Sequence, residues 1–122
     1  MGVDQSIDTA VGVVFDPDIF KKYMDDNNEE DGLEEALWNL VKDEPLLSYG
    51  VGGSYYDSEP MHPWVSVKRL SDGGDASVID GGVFGISRPV VTLAEREALQ
   101  RVAFRVGQPF SDAYQFVSVL WH

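Results

Sequence analysis

The chain has 122 residues, a net charge of −12, a pI near 4.3, 43% hydrophobic residues and no cysteine. That length fits one domain with an ordinary core, and no apolar run approaches the roughly 20 residues that cross a bilayer. Disulfides, thiolate metal sites and cysteine nucleophiles are excluded, and so much negative charge makes nucleic acid and anionic membranes poor partners.

Met1-Gly2 with Ser6 matches the myristoylation pattern. Asp4 and Asp8 would repel an anionic membrane and no second anchoring signal accompanies them, so the match is read as chance and the cytoplasm is the expected compartment. Thr9–Phe15 is β-branched and apolar and predicts a buried strand. Asp16-Pro17-Asp18 then signals a helix start, with Asp16 as cap, Pro17 in the first turn and Phe15 spaced to staple against Phe20. A helix is expected over about 17–26. The segment 25–31 holds no apolar residue and must be solvated. Asp31 and Glu34 have the spacing of a capping box for a second helix over about 32–43, with Leu33, Ala36, Leu37, Leu40 and Val41 on its apolar face and Trp38 on the flank.

The middle of the chain predicts short strands: Leu46–Val51, Trp64–Leu70, Ala76–Ile79 and Val83–Ile86, joined by glycine-rich turns into a meander. Thr92 with Glu95 opens a third helix, which presents Leu99, Val102, Ala103 and Val106 to the core and stops at Gly107 and Pro109. Tyr114–Trp121 is apolar on both faces and reads as a central strand. The expected fold is one α+β domain in the order β-α-α-β-β-β-β-α-β, an antiparallel or mixed sheet with helices packed on one face. Its core is expected to include Val11, Val13, Phe15, Leu37, Leu40, Val102, Phe116 and Val119.

No catalytic or cofactor motif in the chain is complete. Gly50-x-Gly52-Gly53 lacks the third glycine of a dinucleotide fingerprint, because Tyr55 stands there, and leads into no helix; a bulge or turn explains it. Placing Gly32 at the sixth position of an EF-hand loop puts Trp38 where a bidentate glutamate belongs. His62 lacks the paired spacing of a zinc site, and Ser54, Ser58, Asp57 and His62 form no nucleophile elbow. The chain is therefore expected not to be an enzyme, and to need neither cofactor nor metal.

Charge position carries the remaining signal. Residues 1–44 hold 13 acidic side chains against three lysines, a net of −10, whereas residues 45–122 are nearly balanced at −2. Asp18, Asp25, Asp26, Glu29, Glu30, Asp31, Glu34 and Glu35 can present carboxylates at spacings comparable to phosphates, which attracts basic surfaces of the kind that bind nucleic acid. In size, acidity and absence of catalytic motifs the chain resembles the small inhibitors of bacteriophages and toxin-immunity proteins. That resemblance lies in overall character, assigns no residue, and implies a module that blocks a basic cleft. The alternative is a small-molecule-binding domain using segment 49–64, where Tyr55, Tyr56, His62 and Trp64 gather aromatic and polar groups.

Overall fold

The computed structural model describes residues 4–54, 61–68, 82–87 and 91–121. The expected Ala76–Ile79 strand, the turns at Asp72–Asp75 and Asp80-Gly81, and residues Tyr55, Tyr56, Asp57, Ser58 and Glu59 lie outside them. The described elements run β1 (Gln5–Val14), α1 (Pro17–Asp26), α2 (Leu33–Val41), β2 (Leu47–Ser54), β3 (His62–Val67), β4 (Gly82–Ser87), α3 (Leu93–Val106) and β5 (Tyr114–Trp121). The fold is α+β, with a mixed sheet and three helices. None of the described helices is long and apolar enough to cross a membrane.

Local sequence signals fix two helix starts. The Asp16 carboxylate accepts from the backbone N–H groups of Asp18 at 2.8 Å and Ile19 at 3.3 Å, and the Phe15 and Phe20 rings stack at 5.4 Å. Thr92 and Glu95 complete a reciprocal capping box, and α3 ends on Gly107 in the left-handed conformation. α2 departs from expectation. It begins at Leu33 behind Gly32, whose φ of 105° excludes most side chains, and no side chain caps it. The Asp31–Glu34 capping box therefore does not form.

The sheet order is β1-β3-β2-β5-β4, with β1 also pairing to β5. Four strands thus complete a circuit: β1 pairs with β3, β3 with β2, the end of β2 with β5 at Gly53 and Ser54, and β5 with β1 along Gln5–Gly12. Of the expected meander, the described residues show the antiparallel β2–β3 pairing, while the Ala76–Ile79 strand and its turns lie outside them. One edge of β3 carries β2 and the other carries β1, so β4 is left to pair with β5. β5 is bonded on both edges, as its two apolar faces require.

Directly opposed residues share a face, so the register sorts the side chains. Leu47, Val51, Val65, Val67 and Val13 meet Phe15, Phe20, Leu37, Leu40, Leu99 and Val102 in the main core between sheet and helices. The opposite face, inside the curl, holds Ala10, Trp64 and Phe116, with Val14 and Tyr114 against them. All eight residues expected in the core are buried. They divide between the two sides of one curled sheet, because curvature brings strands β1, β3 and β5 close enough for their concave side chains to meet.

The glycine cluster finds its explanation there. Instead of ending at Val51 in a bulge or turn, β2 continues through Gly52 and Gly53 to Ser54. Gly50 lies opposite Trp64, and a Cβ at that position would overlap the indole ring. The glycine makes room for the tryptophan that fills the curl.

Candidate functional site

The eight carboxylates expected to bind a partner fall into one group and one outlier. Asp25 and Asp26 end α1, Glu29–Asp31 form the connection, and Glu34 and Glu35 open α2. These seven gather where the two helices join. Asp18 sits seven residues back along α1, about 10 Å away at 1.5 Å per residue, where it complements the positive end of the helix. Glu29 is half-buried and accepts the Asn39 side-chain amide at 3.2 and 3.4 Å, tying the connection to α2; the other seven residues are exposed.

Helix electrostatics treats the members of this group differently. Glu34 and Glu35 stand in the first turn of α2, where the dipole favours them. Asp25 and Asp26 stand in the last turn of α1, where it opposes them, and no basic residue accompanies them in that turn. Lys22 reaches Asp26 at 3.0 Å, but both side chains are exposed and such pairs contribute little. Asp25 and Asp26 are thus poorly placed for the stability of their own helix.

Trp38 projects beside these carboxylates. It is 48% exposed and, with Glu34, Glu35 and Tyr49, lines a shallow depression of about 290 Å³. The Lys42 ammonium lies 5.5 Å from the centre of its ring, so one cation already uses this aromatic surface. The sequence signal for Trp38 was its position on the flank of α2, outside the apolar stripe; Tyr49 gave no signal beyond its place in a strand.

α3 holds both flanking segments in place. Glu44, buried just beyond α2, receives Arg101 in a bidentate bond at 2.8 and 3.1 Å and Arg105 at 3.4 Å. The Arg101 hydrogen bonds hold the Glu44 carboxyl below the usual glutamate range, against an opposing effect of burial. Arg105 also donates to the Leu40 carbonyl at the end of α2. On the other side, Gln108 links to Asp16 N–H and the Val14 carbonyl.

The aromatic–glycine segment is dispersed where it can be seen. Trp64 is 3% exposed and belongs to the core inside the curl. His62 instead lines an open cleft of about 510 Å³ with Val14, Phe15, Asp16, Ile19, Gln108, Pro109 and Tyr114. The polar groups there serve the fold: Asp16 caps α1, and the Tyr114 hydroxyl accepts Val14 N–H at 3.2 Å. Among the described residues no three histidine or acidic side chains converge on a point that could hold a metal ion.

No protein family, curated protein or solved structure matches this chain.

Proposed function

We propose that this chain is a small protein-binding module of the inhibitor or immunity type, whose α1–α2 junction occupies a basic, nucleic-acid-binding surface of a partner protein. The observation that carries this reading is the pairing of Asp25 and Asp26, set against their own helix dipole, with the exposed Trp38 among Glu34 and Glu35. Carboxylates steer and orient a basic partner. A half-exposed tryptophan supplies the aromatic anchor that carries binding energy, and its ring accepts arginine or lysine from the partner as it accepts Lys42. The small-molecule reading has weaker support, since Trp64 is enclosed in the core and its indole N–H is satisfied internally.

The test is affinity capture from the native host, run in parallel with the wild type, Trp38→Ala, and the combined Asp25→Asn, Glu30→Gln, Asp31→Asn, Glu35→Gln variant. A basic nucleic-acid-binding protein should be retained by the wild type and lost by both variants. Equal retention by all three would place the binding surface elsewhere.

A further inference from the structure

α3 buries one face and leaves another uncovered. Leu93 is 70% exposed and Phe104 86% exposed, and the turns between them present Glu97, Gln100 and Arg101, which with Phe104 line a shallow groove of about 420 Å³. Eleven residues at 3.6 per turn bring Leu93 and Phe104 to within about 20° around the axis and about 16 Å apart along it. They form a single stripe with an apolar side chain at each end.

The order along the stripe is apolar, acidic, neutral, basic, apolar, so reversing its direction exchanges like for complementary. We propose that α3 pairs antiparallel with α3 of a second copy of this chain, with Leu93 against Phe104 of the other copy and Glu97 against its Arg101. Glu97 and Arg101 lie on the same flank of the stripe, and in antiparallel helix pairs equivalent flanks face each other, so the two acid–base contacts form together about the twofold axis. On the opposite flank Arg96 is drawn back, over the Phe110 ring and toward Asp112.

Charge selects this occupant over others. Two copies at −12 each would repel through most of their surface, yet α3 carries three arginines against two glutamates and is the one described helix without an acidic excess. Among the described helices it is the one that a second copy can approach at least electrostatic cost. Arg101 already bonds Glu44 through Nε and one terminal nitrogen and remains half-exposed. Its other terminal nitrogen is left for the neighbouring glutamate.

The test is molar mass by light scattering or sedimentation from about 1 μM to 1 mM, with circular dichroism confirming that variants fold. Wild type should move from monomer to dimer across that range. Phe104→Asp and Glu97→Arg should each remain monomeric, since one removes an apolar contact and the other sets two cations face to face. The chain has no cysteine, so single-cysteine variants give an orientation test. Mixed Leu93→Cys and Phe104→Cys chains should form the crossed disulfide at least tenfold faster than either variant alone. A wild type that is monomeric at 1 mM, a dimer that survives Phe104→Asp, or like-with-like crosslinking at the same rate overturns the proposal.

Discussion

The indole nitrogen of Trp64 on β3 donates to the hydroxyl of Ser118 on β5 at 2.9 Å, across the intervening strand β2. Strands so separated lie roughly 9–10 Å apart, and the indole spans the gap because it lies over Gly50 of β2, where no side chain blocks it. The Ser118 hydroxyl lies 3.4 Å from the Val51 carbonyl of β2, which ties the bond to the strand it crosses.

This bond makes the concave core testable. Ser118→Ala leaves a buried N–H without its partner and should cost about 1–3 kcal/mol. Trp64→Ala should cost about 3–5 kcal/mol through the cavity it opens. A Trp64→Phe, Ser118→Ala double variant should recover part of the single-variant loss, because the unpaired group is gone. Urea denaturation midpoints of these variants, with Trp64→Phe alone to close the cycle, check this ordering. Independent, additive effects would show that the two side chains do not form a unit.

Acid stability should report two carboxyl groups with opposite signs. Glu44 is held below the ordinary glutamate value of 4.5 by its Arg101 hydrogen bonds. Its contribution is complete above that value and disappears as pH falls through the lower folded value. Glu44→Gln should therefore destabilise at pH 7 and converge with wild type in strong acid. Asp8, half-buried opposite Ser118, is raised above its ordinary 3.8 by desolvation. Its ionisation opposes folding as pH rises, so Asp8→Asn should stabilise at pH 7 and have no effect well below 3.8. Denaturation at stepped pH distinguishes the two. Parallel profiles for both variants would contradict these assignments.

What was legible in the sequence was local. Asp16-Pro17, the Phe15–Phe20 staple, Thr92–Glu95 and Gly107 each act over a few residues, and the structure places them as read. Circuit closure depends instead on β1 pairing with both β3 and β5, contacts between distant segments that no periodicity announces. The same distance hid the meaning of Gly50, whose reason lies 14 residues away at Trp64. Asp31–Glu34 misled because the chain reverses through a positive φ at Gly32, which displaces the cap geometry. Within the acidic site, the carboxylates were visible as composition and Trp38 only as a flank residue, since exposure is decided by what α2 packs against.

The placement of Asp25 predicts a trade between stability and binding. A negative side chain in the last turn of α1 opposes the dipole, so Asp25→Asn should raise stability by about 0.3–1 kcal/mol while weakening capture of the basic partner. Thermal unfolding and partner affinity, measured on the same preparation, test both halves. A variant that loses stability, or gains it without losing affinity, removes the argument that this residue is kept for binding.

Affinity for the captured partner as a function of salt tests the proposed function most directly. Charges are screened over about 8 Å at physiological ionic strength. Binding should therefore weaken as salt rises from 50 to 500 mM, chiefly through a slower on-rate. The combined Asp25→Asn, Glu30→Gln, Asp31→Asn, Glu35→Gln variant should bind weakly at low salt and show a much flatter dependence, with stability changed by under about 1 kcal/mol. Wild-type affinity that is indifferent to salt, and equal to that of the variant, would mean that the α1–α2 junction is a solvated surface rather than a binding site.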